Sequence, residues 1–152
     1  MKALVGILIT VLPLVSFGQA HLGSTLSEIE SMHPGKKFQI STTDEGIRYA
    51  YASMPLGTFY YVFSSESNVS ELCMQFPDDL GALNTQIEIY NNKYVIESDT
   101  SWKAYLEGGG IMKINVSYDE ELESYVFIYI ESQDFSRPTT TNSNSGSTYH
   151  QL

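Results

Sequence analysis

Ile111-Met112-Lys113-Ile114-Asn115-Val116-Ser117-Tyr118 and Tyr125-Val126-Phe127-Ile128-Tyr129-Ile130-Glu131, joined through the acidic turn Asp119-Glu120-Glu121, decide the fold. Both runs are rich in β-branched and aromatic residues, which suit a pleated, half-buried surface. Side chains alternate between the two faces of a strand, so Tyr125, Phe127 and Tyr129 oppose Val126, Ile128 and Ile130. The connection is far too short for a parallel crossover, which needs a dozen residues or more. The pair is therefore an antiparallel hairpin.

Upstream lie further strands at Tyr94 to Glu97 and Trp102 to Leu106, with turns at Asp99-Thr100 and Gly108-Gly109-Gly110. The glycine run is the hairpin type that requires positive φ. Before them, Pro77-Asp78-Asp79 offers an N-cap, and Leu80, Leu83, Ile87 and Tyr90 recur on one face of a helix that Asn91-Asn92 ends.

The N-terminal half has the same order. Thr25-Leu26-Ser27-Glu28 is a capping box, Leu26 and Ile29 follow at helical spacing, and Pro34-Gly35 stops the helix. Strands are predicted at Phe38 to Thr42, Ile47 to Ala52, Phe59 to Ser64 and Val69 to Phe76. Tyr49 and Tyr51 share a face in the second, Tyr60 opposes Phe59 and Tyr61 in the third, and Leu72, Met74 and Phe76 oppose Glu71, Cys73 and Gln75 in the fourth. At an offset of about 53 residues Arg48-Tyr49-Ala50-Tyr51 falls on Trp102-Lys103-Ala104-Tyr105, so the chain reads as a repeated pattern of helix and four strands. The pseudo-repeats run from about 24 to 76 and from 78 to 131. The predicted fold class is α+β: an antiparallel sheet with two helices on one face.

The ends read differently. Lys2, an apolar run from Ala3 to Val15 and the small, polar exit Ser16 to Ala20 form a secretory signal peptide over residues 1–20, cut after Gly18 or after Ala20. The run is shorter than the roughly 20 apolar residues of a membrane span and contains Pro13, so no membrane insertion is expected after cleavage. The expected location is periplasmic or extracellular. Residues 132–152 are Ser-, Thr- and Asn-rich with almost no apolar side chains, and are predicted to be a disordered tail. Between the two ends, residues 21–131 make one domain large enough to bury a core.

Charge and cysteine usage exclude several functions. The formal charge is −10, which removing Lys2 makes more negative by one. Such a chain repels phosphate backbones, so nucleic acid is not an expected partner. Cys73 is the single cysteine, so no internal disulfide forms, and no base is proposed for it as a nucleophile. A lipoprotein anchor would need a cysteine after the signal, and Phe17 to Gly23 has none. His21, His33 and His150 show no metal-ligand spacing, so neither a metal nor a cofactor is expected. Asp119, Glu120, Glu121 and Glu123 lack the spacing of a calcium loop. No nucleophile elbow, phosphate loop or carboxylate pair stands out, and an enzyme is not expected.

Aromatics are the one excess, with 11 tyrosines and 7 phenylalanines. With helices on one face of the sheet, the other face would present rings of the kind that recognition surfaces use. The expected contact residues are Tyr60, Trp102, Tyr125 and Tyr129. The opening Leu22-Gly23-Ser24-Thr25-Leu26-Ser27-Glu28-Ile29, followed by an antiparallel meander, resembles small envelope modules similar to the outer-membrane assembly lipoprotein small protein A and to the β-lactamase inhibitor protein. The signal's Ser16-Phe17-Gly18-Gln19 ending is similar to that of exported proteins of Bacteroidetes type. Those modules usually place two helices before the strands, and the lipoprotein carries an anchoring cysteine absent here. The resemblance implies a non-catalytic role in binding a protein partner on the sheet. The alternative is a carrier of a small apolar ligand or glycan, held in a pocket between sheet and helices.

Overall fold

The computed structural model describes residues 20–106 and 110–132. Residues 1–19, on which the expected signal peptide falls, residues 107–109, which include two glycines of the expected turn, and residues 133–152 of the expected tail lie outside the described residues. Elements follow in the order α1 (Leu26–Met32), β1 (Gln39–Thr42), β2 (Arg48–Met54), β3 (Gly57–Phe63), β4 (Ser70–Phe76), α2 (Leu80–Lys93), β5 (Val95–Ser98), β6 (Ser101–Tyr105), β7 (Ile111–Asp119) and β8 (Ser124–Ser132). The fold is α+β.

Local chemistry sets both helix starts. Thr25 caps α1 as a capping box: its backbone N–H donates to Glu28 Oε2 at 2.7 Å, and its hydroxyl accepts from the Glu28 N–H. Asp79 caps α2 by accepting from the Ala82 N–H at 2.7 Å. α2 runs past Asn91-Asn92 to Lys93, because Asn92 turns its side-chain amide back onto the Glu88 carbonyl at 2.9 Å and leaves the helical backbone undisturbed.

The eight strands form one antiparallel sheet in the order β1-β2-β3-β4-β8-β7-β6-β5. Each half of the chain is a meander, and the two meanders meet where β4 pairs with β8. Register separates the side chains into two sets. One lateral row runs through Ile40, Ala50, Tyr61, Cys73, Tyr129, Ile114, Trp102 and Ile96. Its central six residues are buried. A row on the opposite face runs through Tyr51, Tyr60, Met74, Ile128, Asn115 and Ser101.

Tyr90 of α2 packs against the buried row, its ring edge-on to Trp102 at 5.6 Å, to Phe127 at 5.6 Å and to Tyr129 at 6.2 Å. Ile29 of α1 joins the same buried cluster. The apolar stripe expected on α2 is corrected at two positions. Leu80, in the first turn, is 65% exposed, whereas Gln86 is buried at 1%. Gln86 goes inside because its Oε1 accepts a 3.2 Å hydrogen bond from Gln75 Nε2, a partner that β4 supplies from across the sheet–helix interface.

One glycine is dictated by close approach. Gly57, at φ +149°, opens β3 directly against the end of β4, and a Cβ there would press into the Phe76 carbonyl and lie 3.0 Å from Pro77 Cα. No helix among the described residues is long and apolar enough to cross a membrane.

Candidate recognition face and a histidine-lined cleft

β2 and β3 build a three-ring stack on the face opposite Tyr61 and Tyr129. Tyr51 lies against Tyr60 with centroids 5.0 Å apart and planes within 15°. Tyr49 closes the group at 6.2 Å from Tyr51 and 6.3 Å from Tyr60. Phe76 meets Tyr60 edge-on at 5.4 Å. The stack is a consequence of register, since Tyr51 and Tyr60 are direct cross-strand partners and Tyr49 stands two residues along on the same face. The Tyr51 hydroxyl donates to Gln39 Oε1 of β1 at 2.8 Å, which fixes that ring at the sheet's edge.

Leu72 and Met74 of β4 and Ile128 and Ile130 of β8 continue the apolar surface across the middle of the sheet. All are partly exposed, Ile130 to 39%. Further along, the same face turns polar at Lys113, Asn115 and Lys103, the last paired with Glu97 at 3.2 Å. A continuous apolar and aromatic patch bordered by cations and amides can bury another surface without any bond being made or broken.

The four expected contact residues divide. Tyr60 is at the centre of the stack and half-exposed. Trp102 is 1% exposed and Tyr129 fully buried, and neither presents a ring to a partner. Both belong to the buried row, where each meets the Tyr90 ring. Trp102 Nε1 donates to Asn91 Oδ1 at 2.8 Å, and the Tyr129 hydroxyl donates to Gln75 Oε1 and shares a 2.5 Å hydrogen bond with Tyr90. Tyr125 is 38% exposed and pairs edge-on with Tyr118 at 5.0 Å near the tip of the β7–β8 hairpin, on the Tyr129 face of its strand. The structure therefore does not bring the four together. Tyr49 and Tyr51, which sequence reasoning placed on one strand face without adding them to the site, complete the cluster instead.

The acidic turn at Asp119 is held by that residue's own carboxylate, which accepts from the Glu121 and Leu122 N–H groups at 3.0 and 2.9 Å. Cys73 is wholly buried, and burial pushes its thiol up, away from the thiolate that nucleophilic chemistry needs. Among the described residues no group of three or more His, Cys, Asp or Glu gathers as a metal site.

On the α2 side of the sheet, a cleft of 820 Å³ opens between the N-terminal segment, the ends of both helices and β6–β7, lined among others by His21, Leu22, Met32, Tyr94 and Met112. His21, which lines the cleft, meets His33 Nε2 to Nε2 at 2.9 Å, with ring planes 71° apart. Burial, with His33 beside it, pulls His21 down to about 4. Burial and the Lys36 charge lower His33 as well. Both rings are therefore neutral near pH 7, and one Nε2 donates while the other accepts. The 12-residue separation carries no local signal, so only folding reveals this pair.

Comparison with known proteins found no similar protein-family profile, curated protein or solved structure.

Proposed function

We propose that this chain is an exported, non-catalytic module that binds a protein partner on the open face of its sheet, in the periplasm or outside the cell. The reading places both helices over the face that carries Tyr61 and Tyr129, takes the two helix-plus-meander halves as a duplicated unit, and leaves the other face as the working surface. The observation that carries it is the Tyr49–Tyr51–Tyr60 stack, continued by Phe76, Leu72, Met74, Ile128 and Ile130. Rigid aromatic rings bury much area at low entropic cost, and tyrosines at the centre of an apolar patch are the usual energetic anchors of interfaces. The chain's net charge of −10 favours a partner whose rim is basic. The likeness of the N-terminal segment to small envelope modules points the same way.

A second reading has its own support. The 820 Å³ cleft lies where a carrier would hold a small apolar ligand, between helices and sheet.

Affinity capture with the tagged mature chain, from the source organism's envelope and culture fluid, separates the two. The binding module retains one stoichiometric protein, and Tyr51→Ala or Tyr60→Ala weakens it by about 2 kcal/mol, roughly 30-fold, while costing only about 1 kcal/mol of fold stability. Capture that is indifferent to both substitutions overturns the placement on this face. Background alone turns the reading to the carrier, which thermal-shift screening of small apolar ligands then tests.

A further inference from the structure

We propose that His21 and His33 form a two-imidazole site for a divalent transition ion of the zinc or copper(II) class, beside the cleft that His21 lines. The two Nε2 atoms point at each other across 2.9 Å, with ring centroids 5.0 Å apart, so the nitrogens are the leading atoms of both rings. Two imidazole nitrogens bound to one tetrahedral ion, each at about 2.05 Å, stand roughly 3.3 Å apart. To take the ion the pair must open by about 0.4 Å and each ring must swing by about 35°, so that both lone pairs converge on a point beside the line joining the nitrogens.

The backbone holds the His21 ring there at some cost. His21 adopts φ +47°, a left-handed conformation that side-chain-bearing residues seldom take, and such strain collects at functional positions. Its segment is tied to the start of β4 by Gly23 N–H on the Ser70 carbonyl at 2.6 Å and by Ser70 N–H on the Ser24 carbonyl at 2.8 Å. His33 is the C-cap of α1, its N–H held by the Glu30 carbonyl at 3.2 Å. His21 also lines the cleft, which gives an ion a path of entry.

The donor set selects the ion. Two neutral imidazoles with no carboxylate suit zinc or copper(II) and discriminate against magnesium and calcium, which want oxygen ligands. The proton that one Nε2 carries in the metal-free pair moves to Nδ1 of the same ring, so both Nε2 lone pairs are freed and no net proton is lost from the pair. Water completes the coordination. Lys36 is the cation that opposes binding from the His33 side, while the overall negative charge draws cations in.

Zinc titration of the full mature chain by calorimetry at pH 7.5, with magnesium as control, tests the site. One zinc per chain is expected, without competition from magnesium. Losing even an outer-shell partner of a metal typically costs 10- to 100-fold, so His21→Asn or His33→Asn should each weaken zinc by at least about tenfold, while His150→Asn changes nothing. Imidazole nitrogen NMR signals of His21 and His33 in the unsubstituted chain should both move on adding zinc, a readout that does not depend on a variant folding. No saturable zinc uptake, uptake unaffected by either substitution, or unmoved ring signals overturns the proposal.

Discussion

Two groups of three tyrosines stand on opposite sides of this sheet, and they behave as different materials. Tyr61, Tyr90 and Tyr129 are fully buried. Tyr49, Tyr51 and Tyr60 are only half-buried and stack on one another. Tyr60 and Tyr61 are chain neighbours, so one peptide unit separates a core ring from a surface ring. Two of the buried rings are held by a polar chain: Tyr90 and Tyr129 share a hydrogen bond, Tyr129 donates to Gln75, and Gln75 donates to Gln86 and to the Leu56 carbonyl. Burial pushes all three buried hydroxyls up, so they remain protonated. The open group is held by ring-on-ring contact and cross-strand pairing, which can be lost without leaving a hole. A tyrosine on a strand is thus a structural or a recognition residue according to what covers it.

The largest expected effect comes from truncating one ring on each side. Tyr129→Ala empties a wholly buried site and strips Gln75 and Tyr90 of a partner, and should cost about 3–5 kcal/mol in urea unfolding. Tyr60→Ala removes a half-exposed ring and should cost about 1 kcal/mol. Equal losses would abolish the distinction between the two faces.

Removing single hydroxyls sharpens the same contrast within the core. Tyr129→Phe leaves the Gln75 carbonyl and the Tyr90 hydroxyl each short of a partner, at about 1–3 kcal/mol. Tyr61→Phe should be close to neutral, because among the described residues the Tyr61 hydroxyl has no hydrogen-bond partner to lose. A Tyr61→Phe loss as large as that of Tyr129→Phe would show that the two buried rings are held alike.

The smallest expected effect is a pH dependence confined to the helix-side cleft. The fold holds both His21 and His33 below their ordinary value, so it favours their neutral forms. Their contribution to stability is complete above about pH 6.5 and is lost as pH falls toward 4, the region where His21 titrates in the folded chain. Stability measured from pH 7.5 to 4 should show this decline, and the His21→Asn, His33→Asn double variant should flatten it. The ring stack on the open face has no part in this, so Tyr60→Phe should leave the pH profile unchanged.

Most of the architecture was legible in the sequence because it is written locally. The Thr25 and Asp79 caps, the turns and the period-two alternation act over a few residues, and the observed elements start and stop within two residues of the expected positions. The candidate site was half legible. Tyr60 and the Tyr49–Tyr51 pairing were readable from alternation, and noting that Tyr51 sits across from Tyr60 in a hairpin would have assembled the stack. The placement of Trp102 and Tyr129 was not readable, because on β8 both alternating sets, Phe127 with Tyr129 and Ile128 with Ile130, are apolar enough to face inward. β4 is more deceptive still, since Cys73 and Gln75 are buried while Leu72, Met74 and Phe76 take the opposite face.

The sequence by itself determined the antiparallel α+β class, the order of its elements and the residues that cap and turn them. Alternation and capping are short-range effects that the chain carries wherever it goes. Only the tertiary structure decided which face is covered, that β4 pairs with β8, and that His21 meets His33. The physical reason is that these outcomes depend on what a distant segment brings. Tyr90 and Gln86 of α2 supply partners for Tyr129 and Gln75, so the face that offers those partners is the one that becomes the core.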